Sequence, residues 1–205
     1  AGQNVTGFER LKLDEDDATV GDTTINLAAF INNTSFDRIT IGDTDNSVFT
    51  VSNVLDGFSD LRFDADAESD TGATLTRLVD TSSNSMTVTI TGGETVGALT
   101  LDNEETVNVS STNTSAATIT TLTSADLTTL NLTGSGNVII TNAIATAASL
   151  ATVDASGLTG AATVNGSNSS TAITFSAASG VNTFTGGVAS DTINGSVADD
   201  ILTGG

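Results

Sequence analysis

Internal repetition constrains the fold of this chain more than any other feature of its sequence. One apolar–polar–apolar–hydroxyl pattern occurs three times at intervals of 23 residues, starting at Val107, Leu130 and Val153. A short strand that recurs at a fixed interval, with turn-forming residues between the copies, is typical of one coil of a parallel β-solenoid. An antiparallel sandwich needs no such regular spacing. The repeat therefore predicts an all-β fold, a parallel β-helix or β-roll.

A longer repeat occupies the first half of the chain. Residues 7–16 match residues 57–66 fifty positions later, and residues 104–110 form a weaker third copy. Each copy predicts a short strand with two inward apolar residues, followed by a polar or acidic turn. Because acidic residues crowd into this half, we divide the chain into an acidic, less regular β-rich lobe (residues 1–100) and a Thr/Ser-rich β-solenoid (residues 101–205), with one continuous β-helix as the alternative.

The shortest repeat lies at the C-terminal end of the sequence. Five apolar positions, predicted to face inward, are separated by 9, 11, 9 and 9 residues, and the turns between the later ones are rich in glycine and aspartate. These positions are Val164, Ile173, Phe184, Ile193 and Leu202. Three nine-residue copies cover residues 177–203, and two further glycines begin another. The segment resembles the RTX nonapeptide, whose tandem copies form a calcium-binding parallel β-roll.

The resemblance to RTX nonapeptides implies calcium ligands at the sixth position of each copy. This position is occupied by Asn182, Asp191 and Asp200. The glycines that open the last two copies, Gly186 and Gly195, belong to the same expected sites, because turns rich in Gly, Asn and Asp offer backbone carbonyls as well as carboxylates. Ordinary solvated turn aspartates are the alternative interpretation. The copies are degenerate, since alanine replaces the fourth-position glycine in the last two.

Acidic segments in the first half are further candidates for binding calcium. In the clearest one, carboxylates alternate at every second residue, which places them on one side of an extended segment. It contains Asp64, Asp66, Glu68 and Asp70, a second segment contains Asp43 and Asp45, and a third covers residues 14–17. Like charges at this spacing repel each other unless a cation lies among them. For each segment a solvated acidic loop is the alternative.

The charge balance decides which partners fit the chain. Its 25 acidic and 5 basic residues give a formal net charge of −20. Such a field repels nucleic acid and anionic lipid, so neither is an expected partner. A bound divalent cation relieves the self-repulsion directly, and the chain has no cysteine that could form a disulfide instead;. Calcium is therefore the expected cofactor. No apolar run is long enough for a transmembrane segment.

The arrangement of these elements along the chain is similar to that of the surface-layer proteins of Caulobacter-type bacteria. The likeness rests on a Gly-Phe-Glu-x-Leu-x-Leu strand at residues 7–13, Thr/Ser/Ala-rich coils at 106–141, an Asp-Ala-Ser element at 153–160 and the nonapeptides at 177–205. It implies export by type I secretion, folding on contact with calcium outside the cell, and self-association into a lattice on the cell surface.

Catalysis is not expected of this composition. The chain lacks His, Cys, Tyr and Trp, which removes most general bases and nucleophiles;. The leading hypothesis is a calcium-dependent structural module of a secreted surface-layer protein. The alternatives are an adhesin segment that binds glycans, such as a cell-surface polysaccharide, and a non-catalytic RTX appendage of a secreted enzyme.

Overall fold

Consecutive strands of the chain alternate between two parallel sheets, as seen in a computed structural model that describes residues 7, 9–13, 24–30, 32–33, 35–42, 48–64 and 71–205. Sheet A contains the odd-numbered strands β1 (Arg10–Leu13), β3 (Arg38–Ile41), β5 (Asp60–Phe63), β7 (Ser85–Ile90), β9 (Thr106–Ser111), β11 (Thr129–Gly134), β13 (Thr152–Leu158), β15 (Thr174–Ser176) and β17 (Thr192–Asn194). Sheet B contains the even-numbered strands β2 (Thr24–Asn26), β4 (Val48–Val54), β6 (Thr71–Arg77), β8 (Thr95–Leu101), β10 (Ala117–Thr123), β12 (Val138–Ile140), β14 (Ala162–Asn165), β16 (Thr183–Thr185) and β18 (Ile201–Thr203).

Each coil of this solenoid consists of one strand of sheet A, a turn, one strand of sheet B and a second turn. Every strand pair within the described residues is parallel. The predicted all-β parallel solenoid is therefore confirmed. The turns from sheet A to sheet B lie along one edge of the stack, and the turns from sheet B to sheet A lie along the opposite edge.

The core is a set of apolar columns between the two sheets. Val107, Leu130 and Val153 pair directly with one another in adjacent strands, and none is accessible to solvent. The 23-residue repeat is therefore one coil. Within each strand the alternate residues face outward, as expected when one side of a parallel sheet is covered and the other is solvated. These residues are mostly charged in β1, β3 and β5 and mostly Thr, Ser and Asn from β6 onward. In the later coils Phe175 and Phe184 stack across the core with ring centroids 4.2 Å apart.

The coils become shorter toward the C-terminal end. Asn108 and Asn131 occupy equivalent positions 23 residues apart, whereas Asn182 and Asp200 are 18 residues apart. The last four strands contain three residues each. Eighteen residues correspond to two nonapeptides, so each nine-residue copy supplies one strand and one turn. The five apolar positions of the nonapeptide region face the core. Val164, Ile173 and Phe184 are buried, and Ile193 and Leu202 are partly buried.

Glycines allow backbone to stack directly on backbone at the edge where sheet A turns into sheet B. A Cβ atom on Gly160 would lie 2.4 Å from the carbonyl oxygen of Gly136, and one on Gly180 would lie 2.8 Å from that of Gly160. Side chains at these positions would push neighbouring coils apart, since real Cβ contacts are essentially never that short;. The glycine column thus sets the spacing between coils at this edge.

Strand pairing continues without a break across residue 100. β8 (Thr95–Leu101) pairs with β6 on one side and β10 on the other, so both sheets run through the boundary proposed from composition. The division into residues 1–100 and 101–205 stays an interpretation of composition. The described residues include one short 3₁₀ helix, Leu27–Phe30. None of the helices in the described part of the chain has the length and apolar character of a membrane span.

Candidate functional site

Asp200 lies in the turn before β18, where four hydrogen bonds hold its carboxylate. Oδ1 accepts from the backbone N–H of Asn182 at 2.8 Å, from Nδ2 of Asn182 at 2.9 Å and from the Ser196 hydroxyl at 3.2 Å, and Oδ2 accepts from the backbone N–H of Ser196 at 2.6 Å. These bonds, above all that from the Ser196 backbone, lower the pKa of Asp200 to about 2;. The group therefore stays in the ionised form, which is the form that binds calcium, even in mild acid;.

Asn182 is fully buried and connects three neighbouring coils. Its Oδ1 accepts from the backbone N–H groups of Ala162 at 3.0 Å and Ala178 at 3.2 Å. Its Nδ2 donates to the carbonyls of Ala178 and Gly180 and to Asp200. Both lone pairs of Oδ1 are engaged, so a metal ion at this atom would have to replace a bond to the backbone.

Asp191 lies in the corresponding turn at the opposite edge, and only the contact of its Oδ1 matches that of Asp200. Its Oδ1 accepts from the backbone N–H of Ile173 at 2.8 Å, and its Oδ2 accepts from the backbone N–H of Gly205 at 3.1 Å. The glycine that opens each copy lies against the carboxylate five residues later: a Cβ on Gly186 would fall 1.9 Å from Oδ2 of Asp191, and one on Gly195 would fall 3.1 Å from Oδ2 of Asp200.

The structure therefore brings each of the last two glycine–aspartate pairs together, but not the two pairs with each other. Asp191 precedes a strand of sheet A and Asp200 precedes a strand of sheet B, so they lie at opposite edges and cannot share one ion. In the structure both carboxylates accept hydrogen bonds from turn N–H groups. These bonds satisfy backbone donors that would otherwise lack partners.

Three carboxylates from successive coils meet at the edge where sheet B turns into sheet A. Asp80 follows β6, Glu105 precedes β9, and Asp126 lies between β10 and β11. One oxygen of each lies within 4.8 Å of one oxygen of the others. We call these three residues the acidic triad. Within the described residues none of the three forms an ion pair, and Glu105 accepts a 2.6 Å hydrogen bond from the backbone N–H of Asn84.

The donor set and spacing of the acidic triad fit one calcium ion. Calcium binds oxygen at 2.3–2.6 Å, so two oxygens on the same ion are at most about 5 Å apart. The three carboxylate oxygens satisfy this limit in every pair. Asp80 and Asp126 are exposed and Glu105 is half-buried, which leaves room for waters to complete the coordination shell;.

A buried ion pair lies next to the acidic triad. Nε of Arg77 donates to Oε1 of Glu104 at 2.6 Å and Nη2 donates to Oε2 at 2.8 Å, and both side chains are 3% exposed. The remaining Arg77 donors bind the carbonyls of Leu55, Phe58 and Ser85. Burial raises the pKa of Glu104, although the hydrogen bonds and charge of Arg77 oppose this and the nearby Glu105 and Asp80 reinforce it;. The positive charge of Arg77 is therefore balanced by Glu104 and does not balance the charges of the triad.

Of the acidic segments predicted from the sequence to bind calcium, the structure describes one candidate residue, Asp64. Asp64 directly follows β5, forms an ion pair with Lys12 at 3.7 Å and lies 3.4 Å from the Thr91 hydroxyl. The remaining candidates lie outside the described residues: Asp43, Asp45, Asp66, Glu68, Asp70 and residues 14–17. Binding of calcium by these segments stays a prediction.

Sequence reasoning missed the acidic triad. Asp80 is a single acidic residue in a Ser/Thr-rich turn, and Asp126 is one of only two acidic residues between positions 110 and 180. A usable signal existed, because Glu105 and Asp126 both shortly precede a copy of the 23-residue strand pattern. Asp80 gives no comparable signal, since its coil differs in length from the next two.

Comparisons of the chain with protein family models, with curated proteins and with solved structures give no match. The candidate site therefore depends on geometry and chemistry alone. Its components are the acidic triad at one edge of the coils and the glycine–aspartate turns of the last two coils.

Proposed function

We propose that this chain is a calcium-stabilised structural module of a secreted bacterial surface-layer protein, in which bound calcium makes the β-solenoid rigid for lateral assembly on the cell surface. The acidic triad carries the proposal. Asp80, Glu105 and Asp126 come from three coils and have the spacing of ligands to one ion;. An ion at this position would connect the three coils directly.

The physical effect of such an ion follows from the fold. In a solenoid each coil contacts only its neighbours, so stability depends on the interfaces between coils. Repulsion among stacked carboxylates weakens those interfaces in a chain of net charge −20;. Calcium replaces that repulsion with attraction. A chain exported into a calcium-containing medium would therefore complete its folding outside the cell.

The C-terminal coils support the same proposal independently. Their nine-residue half coils place a glycine against an aspartate in each of the last two copies, as in RTX-type sequences. The carboxylate of Asp200 has its pKa lowered to about 2 by hydrogen bonds from Ser196 and Asn182, so it stays ionised even in mild acid. Calcium at Asp191 or Asp200 would exchange one or more of the bonds to backbone N–H groups for metal coordination.

The residue types favour a scaffold over an enzyme. The chain has no His, Cys, Tyr or Trp, and the sheets present mainly hydroxyl and amide side chains. Side chains of these types support packing against another surface, whereas acid–base or nucleophilic catalysis requires groups of adjusted pKa in a cleft.

Thermal unfolding followed by circular dichroism tests the proposal. We expect a higher melting temperature in millimolar calcium than in excess chelator, with a smaller effect of magnesium, which prefers a rigid octahedral site. Calcium at 100 times its dissociation constant adds about 2.7 kcal/mol to the free energy of unfolding. For a chain of this size that corresponds to a shift of roughly 5–10 °C.

Substitutions in the acidic triad locate the ion. Asp80→Asn and Asp126→Asn should each reduce the calcium-induced shift and raise the melting temperature in chelator, because one repelling charge is removed. Asp102→Asn is the matched control, since Asp102 is exposed in the same turn as Glu105 but is not a member of the triad. Equal melting curves in calcium and in chelator for the unmodified chain would refute the proposal.

A further inference from the structure

Four of the five basic residues of the chain lie together on the outer face of the first strands of sheet A. Arg10 and Lys12 are in β1, Arg38 is in β3 and Arg62 is in β5, and each is exposed or half-exposed. All four line one shallow cavity of about 410 Å³. We call these four residues the basic face. A chain of net charge −20 thus has one local region whose charge attracts anions;.

Strand pairing brings the cations of the basic face close to one another. Arg10 and Arg38 are direct partners in the pairing of β1 with β3, so their backbones are about 4.8 Å apart;. Lys12 and Arg62 are both partners of Thr40, one on each side, so its hydroxyl lies between them. Like charges on directly opposed residues destabilise a sheet. An anion bound among these side chains would remove that repulsion.

Carboxylates balance only part of the charge of the basic face. Oδ2 of Asp60 accepts a 2.5 Å hydrogen bond from Nε of Arg38 and lies 3.8 Å from Nη2 of Arg62. Oδ2 of Asp64 lies 3.7 Å from Nζ of Lys12. The fourth cation of the face forms no ion pair with any other described residue. Four cations and these two carboxylates leave an excess of two positive charges.

The guanidinium of Arg62 contains a donor without an acceptor. Its Nε is buried and has no hydrogen-bond partner among the described residues. An unpaired buried donor is uncommon in proteins, because it gives up hydrogen bonds to water and gains none in return. Nε and one terminal nitrogen of an arginine form a fork that matches two oxygens of a phosphate or a carboxylate. Rotation of the guanidinium toward the cavity would provide Nε with such an acceptor.

From these features we propose that the basic face binds a phosphate group, either as free inorganic phosphate or as a phosphate monoester. Charge favours phosphate over a carboxylate, because a phosphate monoester carries roughly −1.5 to −2 at pH 7 and the face has two positive charges in excess. Geometry favours it as well. Side chains from three strands, with the Thr40 hydroxyl between Lys12 and Arg62, can surround the four oxygens of a phosphate, whereas a carboxylate offers two oxygens.

The negative charge of the whole chain does not prevent this binding. At physiological ionic strength, exposed charges more than about 8 Å apart are largely screened from each other, so the local excess governs the site. A nucleic acid or an anionic membrane extends beyond the basic face and would meet the surrounding carboxylates. A single phosphate group is small enough to contact the cations alone.

Isothermal titration calorimetry with sodium phosphate tests the proposal on the unmodified chain, in calcium below the concentration at which calcium phosphate precipitates. We expect saturable binding of one phosphate per chain. Arg62→Gln and Arg10→Gln should each weaken binding by about tenfold, the factor expected for the loss of one hydrogen bond between charged groups. Arg10→Gln keeps the test decisive if Arg62→Gln folds poorly, because Arg10 is exposed.

Thr163→Asp is the matched control for net charge. It changes the net charge by one unit in the same direction as Arg62→Gln, but on the outer surface of sheet B, where Thr163 is half-exposed. Phosphate binding should be unchanged. Asp64→Asn has the opposite effect, since it removes a carboxylate from the cavity, and it should strengthen phosphate binding severalfold;.

Glucose 6-phosphate and glucose distinguish the two sources of phosphate. Binding of glucose 6-phosphate without binding of glucose supports a site for phosphate monoesters, and binding of inorganic phosphate alone supports a site for the free ion. The absence of saturable binding of both phosphates overturns the proposal, as does acetate that binds as tightly as phosphate.

Two further outcomes also overturn the proposal. Equal weakening by Arg62→Gln and Thr163→Asp would show a general effect of net charge. Undiminished binding to both Arg62→Gln and Arg10→Gln would place the phosphate elsewhere, for example on a bound calcium ion. The acidic triad takes no part in the basic face, so the calcium-dependent melting of the chain decides the proposed function separately.

Discussion

At the scale of single residues, Arg77 shows how the solenoid accommodates a buried charge. All five donors of its guanidinium have partners. Two bind Glu104, and three bind the backbone carbonyls of Leu55 and Phe58, in the turn between β4 and β5, and of Ser85 at the start of β7. A buried ion pair of this kind seldom adds much net stability, because desolvation offsets the attraction, but loss of one partner leaves an uncompensated charge at a cost of about 3–5 kcal/mol. The contacts of Arg77 to Leu55, Phe58 and Ser85 connect neighbouring coils and fix their relative position.

The lowered pKa of Asp200 gives a pH-dependent contribution to stability. Its pKa falls from the ordinary value of 3.8 to about 2 on folding, so the carboxylate stabilises the fold above pH 4 and loses this effect as the pH falls toward 2;. We expect Asp200→Asn to be less stable than the unmodified chain at neutral pH and to depend less on pH between 4 and 2. Calcium-free acid titrations followed by circular dichroism measure this.

The control for Asp200 is its neighbour Asp199, which is exposed. Asp199→Asn should retain the pH dependence of the unmodified chain. If Asp200→Asn lost stability between pH 4 and 2 as steeply as the unmodified chain, the hydrogen bonds from Ser196 and Asn182 would not be the cause.

At the scale of elements, the turns tolerate fewer substitutions than the strands do. The outward strand positions accept Asn, Asp or Ser in the same column, as in β9, β11, β13 and β15. The turns from sheet A to sheet B have no such freedom where glycines stack, because the neighbouring coil fills the space of a side chain. One strand also adjusts locally, since a register shift in the pairing of β11 with β13 absorbs one extra residue at Ala155 or Ser156.

Gly160→Ala tests the glycine column. Its new Cβ would lie 2.4 Å from the Gly136 carbonyl oxygen, so the coils must separate, and we expect a loss of about 1–3 kcal/mol in the free energy of unfolding;. Chemical denaturation measures the loss. Gly204→Ala is the control, because its Cβ would meet only Cδ1 of Ile193 at an ordinary 3.8 Å. Equal stability of the two variants would show that the coils are not in close contact at Gly160.

At the scale of the whole molecule, the solenoid separates its chemistry by location. Apolar side chains fill the space between the sheets, and hydroxyl and amide groups cover most of the outer faces from β6 onward, where the acidic residues concentrate at the edges. The outer face of β1, β3 and β5 is charged instead, with Arg10, Lys12, Arg38, Asp60 and Arg62. Carboxylates from different coils therefore meet in columns, where divalent cations can bind them, and the faces remain available for contact with other molecules.

Removal of one complete coil tests the modular character of the fold. Deletion of residues 130–152 joins Thr129 to Val153, which reproduces the original strand sequence pattern and register. We expect this chain to keep a folded β-sheet spectrum, with lower stability from the loss of one coil interface. Deletion of residues 130–140 removes half a coil, so apolar columns are interrupted and the chain should unfold at much lower denaturant concentration. Similar denaturation curves for the two deletions would contradict the one-coil repeat.

The sequence alone determined the parallel solenoid and much of its core. Each coil contributes one strand to each sheet, so a coil of constant length appears in the sequence as a fixed interval, and the copies at Val107, Leu130 and Val153 made it visible. The same holds for the nonapeptide region, where Phe184, Ile193 and Leu202 follow one another at half-coil spacing. Local strand and turn preferences agree with the fold at these positions, so little tertiary information was needed.

Only the tertiary structure decided which acidic residues meet. The acidic triad consists of Asp80, Glu105 and Asp126, which are far apart in the chain and become neighbours because coils of unequal length stack in register. Sequence reasoning favoured dense acidic runs, since adjacency along the chain is all that a sequence displays. It also could not foresee that Asn182 would be buried with both oxygen lone pairs engaged by backbone N–H groups. Contacts between coils depend on the summed lengths of strands and turns, and these are fixed only when the whole stack has formed.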